Sequence, residues 1–257
     1  MRPTPTLTGL AVAFAVAALL FGVLEALFAA LPRQSIWRHE RRTDFLYWLF
    51  TPLATRAFGR GALFVAVALV TVAIGRPSSH WFESQPLALQ ALETLVAADF
   101  IGYWNHRAFH RGRLWRIHAI HHSAQTVDWL AAARVHPVGE AVTAIVQFVP
   151  LYLLGFNGRA LAAALPLLTA YTVFLHANLR WDFGPLRYFV ASPRFHRWHH
   201  TSQAEGLDRN FAGLFPWLDV LFGTFWMPKE QEPERFGVTE EVPAGLLGQL
   251  AWPFRRG

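Results

Sequence analysis

Long apolar runs separated by short arginine-rich stretches organise this chain. Residues 7–31 carry a single charge, Glu25, and a spanning helix needs about 20 apolar residues. A secretory signal has a shorter apolar core and a small-residue cleavage site, so this run is expected to stay as a membrane helix. Residues 61–75 are apolar but short for a crossing, with an extension from Phe58 on the amino-terminal side. Pro86 to Trp104, 138–155 and 160–179 supply three more spans. The tight turn from Gly155 to Gly158 suits an antiparallel hairpin between the last two. Phe45 to Phe50, ahead of Pro52, reads as an interfacial aromatic segment.

The pattern predicts an all-α, multi-pass integral membrane protein of 4–5 spans with a cytoplasmic histidine-rich cap, about 105–136 plus 180–257. With the N-terminus outside, only Arg2, Arg76 and Arg159 lie in outer segments, leaving 20 of the 23 basic residues inside. That asymmetry is what the positive-inside rule expects. The 53% hydrophobic content, with 11 Trp and 22 Phe, is too apolar for an ordinary soluble domain of 257 residues. The net charge of +6 is explained by topology, so no nucleic-acid partner is expected. Arginine supplies every basic residue except Lys229, a bias that points to a high-GC bacterial genome and an inner-membrane location. The absence of cysteine excludes disulfides, thiolate zinc sites and iron–sulfur clusters.

The candidate chemistry lies in the histidines. Nine of the twelve fall in three boxes and one outlier: His106 and His110; His118, His121 and His122; His196, His199 and His200; and His176. Neutral imidazole is a good ligand for first-row transition metals. On a helix, residues four apart differ by about 40° and residues three apart by about 60°, so each box is expected to point its rings one way. Nine exceed the needs of one ion, and the cluster reads as a two-metal centre. His39 and His80 read as ordinary solvated residues. The first two boxes follow the third span and the last box follows the fifth, so all lie on one side of the membrane.

Further candidates surround the boxes. Asp99, seven residues before His106 and on nearly the same face, is costly in a span if unpaired and is expected to orient a ligating ring. His136, held out of the helical region by Pro137, could be a ligand, a substrate-side residue or a cap, and a supporting role is favoured. Asn178 stands close to His176. Asp208 and Asn210 are candidates for supporting hydrogen bonds.

The boxes, with Asp99, Tyr103 and Trp104, resemble the fatty acid hydroxylase/sterol desaturase superfamily of integral membrane proteins. Arg134, His136, Pro137, Glu140, His176, Asn178 and the stretch from Asp219 to Thr224 look like its sterol-desaturase branch. The likeness covers about 90–225, and 1–85 match only as generic membrane helices. It divides the chain into N-terminal membrane helices (1–85), a catalytic domain (86–225) and a polar C-terminal tail (226–257), with 229–241 a solvated surface segment. It implies a non-haem diiron centre that uses O2 to hydroxylate or desaturate a C–H position of a lipid or sterol-like substrate. By matching position, the nine histidines of the boxes and His176 are its ligands. Two six-coordinate irons offer twelve positions, leaving three for a bridge, water or oxygen. Iron over zinc follows from the likeness, since imidazole suits both. Without a redox relay in the chain, a separate electron donor such as a ferredoxin or a cytochrome b5-like protein is implied.

Three other readings compete. Histidine pairs can ligate haem for electron transfer, but such pairs sit deep inside spans. Zinc hydrolysis lacks an HExxH motif and any acid within a box. A non-enzymatic metal-binding membrane protein would show no aerobic product.

Overall fold

A computed structural model describes residues 6–75, 77, 80–156 and 158–255. Among these residues the chain is helical, with only two isolated bridges, Ala29 to Leu179 and Thr201 to Phe236, outside its helices. Helix α1 (Leu7–Phe28) opens at Thr6, whose hydroxyl accepts the Gly9 N–H at 3.0 Å, a standard N-cap. Helix α2 (Arg41–Phe50) runs through a single π turn, Thr51–Thr55, into α3 (Arg56–Ile74). The aromatic segment is therefore not a separate helix. It is the first part of a 34-residue run, Arg41–Ile74. Pro52 has no N–H to continue the α ladder, and the wider turn absorbs the defect, with the Arg56 N–H donating to the Thr51 carbonyl.

A short helix α4 (His80–Glu83) leads to α5 (Leu87–Phe109), followed by α6 (Gly112–His122). A 3-10 turn, Trp129–Ala133, precedes α7 (Pro137–Leu153) and α8 (Gly158–His176). Helix α7 closes as the sequence suggests. Gly155 takes φ +78°, its N–H reaches the Tyr152 carbonyl and the Phe156 N–H reaches Leu151, the paired bonds of a Schellman cap. Asn157 in that turn lies outside the described residues, as do Arg2 and Arg76, two of the three outer charges; the side chain of Arg159 is likewise undescribed. Three short helices complete the fold: α9 (Pro193–His199), α10 (Trp217–Leu221) and α11 (Leu246–Ala251).

Among the described residues two helical runs, α1 and α2–α3, are long and apolar enough to cross a membrane. Helix α3 packs along α7 so closely that a Cβ on Gly59 would stand 2.7 Å from Glu140 Cγ. Helix α5 lies against α7 and α8, and α9 lies against α8. Glu25, the one charge of α1, accepts the Asn178 N–H at 2.9 Å and the Trp129 N–H at 3.4 Å. It therefore fastens the first helix to the end of α8 and to the 3-10 turn. Phe14, Phe21, Trp48 and Trp129 pack ring to ring over that junction.

Most of 229–241 is exposed, as expected of a solvated surface segment, and the tail is anchored to the cap at a few points. Arg194 Nη2 donates to the Gln231 carbonyl at 2.7 Å and its Nε pairs with Glu232. Phe236 is buried over the Arg197 guanidinium, 4.9 Å from carbon to ring centre.

Candidate metal centre

Four helices deliver the nine rings. Helix α5 contributes His106 in its last turn and His110 at its C-cap, α6 contributes His118, His121 and His122, α8 ends on His176, and α9 with its C-cap carries His196, His199 and His200. Ser192 fixes the start of α9, its hydroxyl accepting the Phe195 N–H at 3.2 Å ahead of Pro193 at the first helical position.

The rings converge as two adjacent groups. One holds His106, His110, His118, His122 and His199; the other holds His121, His176, His196 and His200; within each group the donor atoms lie within 4.8 Å of one another. His106 and His110 point into one group, as expected, but the two HxxHH boxes do not each point one way. In the first, the i and i+4 rings (His118, His122) join one group and the i+3 ring (His121) joins the other. In the second, His196 and His200 join the group that His199 leaves. At 100° per residue, i+3 and i+4 diverge by that same angle, so one HxxHH turn serves two centres. The groups touch: His122 stacks on His200 with centroids 4.4 Å apart at 24°.

Backbone carbonyls fix the tautomers. Nδ1 of His106 meets the Phe211 carbonyl at 2.8 Å, His199 meets Arg209 at 2.8 Å, His121 meets Arg134 at 3.0 Å and His176 meets Thr172 at 2.8 Å. A carbonyl only accepts, so each Nδ1 carries the proton and each Nε2 presents a lone pair. Nε2 of His121 and Nε2 of His176 nevertheless lie 3.2 Å apart, a contact that two lone pairs do not make without a cation between them. Metal–imidazole bonds of about 2.1 Å at right angles place two donors about 3.0 Å apart. Nε2 of His110 and of His199 are buried with no hydrogen-bond partner. Burial, with repulsion from neighbouring rings behind it, holds His118, His122, His196, His199 and His200 well below the ordinary imidazole pKa. Burial does the same for His121, with His176 next in weight. Neutral rings are the ligating form.

Asp99 acts one step further out than expected. It touches no imidazole. Its carboxylate accepts the N–H groups of Gly213, Leu214 and Phe215 at 2.8–3.0 Å, holding the loop whose Phe211 carbonyl orients His106. Asp219 holds the same loop through the Phe211 and Ala212 N–H groups at 2.7 and 2.9 Å, and also accepts the Thr224 hydroxyl. Asp208 does meet a ring, with Oδ1 3.1 Å from His110 Nδ1. Asp208 and Asn210 both adopt left-handed backbone, φ +55° and +59°, which Asp and Asn tolerate, and they flank the Arg209 carbonyl that orients His199. Asn210 is locked by Phe195 and Trp226 main chain.

His136 and Asn178 serve elsewhere. His136 caps α7, its Nδ1 accepting the Val138 N–H at 3.2 Å while Nε2 donates to the Leu250 carbonyl at 3.1 Å. Both nitrogens are thereby occupied. Asn178 bonds main-chain N–H and carbonyl of Leu31, tying the end of α1 to the end of α8. Arg134 has a role that its motif alone does not indicate. Its guanidinium bonds Asp44 and the Ser123 hydroxyl while its carbonyl orients His121, so the ion network under α2 supports the second group.

The fatty acid hydroxylase family model matches residues 91–224. Over 247 residues the chain is 34% identical to ornithine lipid hydroxylase OlsE of Rhizobium tropici, covering 90% of this chain and 72% of that protein. It is 30% identical over 148 residues to alkylglycerol monooxygenase of Danio rerio and 29% over 149 residues to that of Caenorhabditis elegans. Those matches cover 57% of this chain and only 32% and 29% of the relatives. No solved structure matches the chain. The chain belongs to the fatty acid hydroxylase family, within the superfamily that its histidine boxes suggest.

Proposed function

We propose that this protein is an O2-dependent diiron hydroxylase acting on a membrane lipid, with His106, His110, His118, His122 and His199 around one iron and His121, His176, His196 and His200 around the other. The observation that carries the reading is the opposed lone pairs of His121 and His176 at 3.2 Å, each fixed by a carbonyl behind it. The iron pair supplies activation of O2 for insertion of oxygen into a C–H bond. The protein's own part is to hold the donors rigid and neutral and to keep water away. Loops pinned by Asp99 and Asp219 set His106, the Asp208 contact sets His110, and the Arg134 carbonyl sets His121. Hydroxylation is favoured over desaturation because the relatives named above are a hydroxylase and monooxygenases.

Reducing equivalents come from a separate carrier, a ferredoxin or a cytochrome b5-like protein, as the likeness to the superfamily implies. The histidines lie on the cytoplasmic side of a multi-pass protein of a bacterial inner membrane, with 4–5 spans, as the arginine distribution favours. Lipid mass spectrometry of aerobic cells with and without the gene tests the reaction. A lipid that gains one oxygen only when the protein is present supports it. An unchanged lipid profile with an iron-loaded protein and reductant present would overturn it.

A further inference from the structure

Away from the histidines, a cavity of about 530 Å³ opens between α1, the start of α2 and the 3-10 turn. Its size falls within the range of about 300–1,000 Å³ typical of small-ligand sites. Phe14, Phe45 and Leu130 supply an apolar wall, and Arg38, His39, Arg41 and Arg42 supply a cationic rim, with Trp37 beside them. Arg38 is already committed to Asp128 and Asp44. Glu40, the nearest acid in sequence, is turned to Arg38, Arg134 and the Gln125 N–H. Among the described residues neither Arg41 nor Arg42 has an ion-pair partner. Arg41 is held in place, one arm donating to the Ile36 carbonyl at 2.9 Å and its carbon 5.7 Å from the Trp37 ring centre.

We propose that this cavity binds the headgroup of an anionic lipid of the surrounding leaflet, its phosphate on Arg41 and Arg42 and its first methylenes along Phe14, Phe45 and Leu130. Two positions favour a bilayer lipid as the occupant. The cavity lies where the two membrane-length runs, Leu7–Phe28 and Arg41–Ile74, meet through Phe14 and Phe45, ring centres 5.2 Å apart. Trp37 is 88% exposed beside the arginines, an amphipathic ring at the rim of a cationic site, as is common at the headgroup level. Charge and shape thus match a molecule that is anionic at one end and apolar beyond it.

The full chain in neutral detergent can be titrated with short-chain phosphatidylglycerol, with phosphatidylcholine of the same chains, and with inorganic phosphate, read by native mass spectrometry and calorimetry. The expected result is roughly tenfold or greater preference for phosphatidylglycerol over phosphatidylcholine. Arg41→Gln with Arg42→Gln should abolish that preference, and Arg42→Gln alone, at an exposed residue, should weaken it without changing the melting temperature. Equal binding of the two lipids, or an undiminished preference in the double variant, would overturn the proposal. Inorganic phosphate binding as tightly as the lipid would overturn the assignment to a lipid.

Discussion

Helices α1 and α9 bury opposite kinds of residue. In α1 only Leu10 and Phe21 are buried, and Leu19 is 72% exposed. Helix α9 buries all seven of its residues, among them Arg194, His196, Arg197 and His199. Such exposure of leucine suits a solvent of hydrocarbon, and such burial of arginine and histidine is costly wherever a polar atom goes unanswered. Around α9 main-chain carbonyls and the Asp182 and Glu232 carboxylates answer part of this set, while His196 Nδ1, His199 Nε2 and Arg197 Nε and Nη2 are buried without a hydrogen-bond partner. The chain therefore exposes apolar residues along α1 and buries polar ones around the histidine cluster.

The sharpest break in this contrast comes from the polar side. His118→Ala and His199→Ala each remove a donor from the five-ring group, and each should lower turnover at least ~100-fold and strip iron, more than the 10–100-fold typical of supporting residues. Steady-state assays with iron analysis check both. On the apolar side, Leu19→Asp should raise the cost of insertion by about 3 kcal/mol, seen as loss of membrane-integrated protein in a fractionation assay; unchanged integration would place α1 outside the bilayer. Asp99→Asn weakens the hold on residues 213–215 and should reduce iron affinity by roughly 10–100-fold, measured by competition with a chelator.

A further effect is that of pH on the metal-free chain. His118, His121, His122, His196, His199 and His200 have lowered pKa values in the fold, whereas unfolded imidazoles titrate near ~6.5. Below that value the unfolded chain binds more protons than the folded one, so stability is present above it and lost as pH falls. The melting temperature should be level from about pH 7.5 to 9 and drop by pH 5.5. A drop on the alkaline side would contradict the neutral-ring account.

Much of this was legible in the residues. The nine histidines stand out by spacing, and the apolar run of α1 by length. The division of each HxxHH box between two groups was not legible. Helical angles allow the split, but only packing of α6 against α9 decides which ring faces which partner. Asp99 was visible as a costly acid, yet its role runs through main-chain N–H groups of residues 213–215, and main-chain partners leave no mark in sequence. The same holds for the carbonyls of Phe211, Arg209 and Arg134. The continuous α2–α3 run was hidden by Pro52, which usually interrupts a helix and here is absorbed by a π turn.

The most direct measurement is the metal content of folded, detergent-extracted protein reconstituted anaerobically with ferrous salt, alongside His121→Ala. Two irons per chain for the parent and a loss confined to one of them in the variant are the predicted result. A well-folded parent that binds no iron would contradict the account.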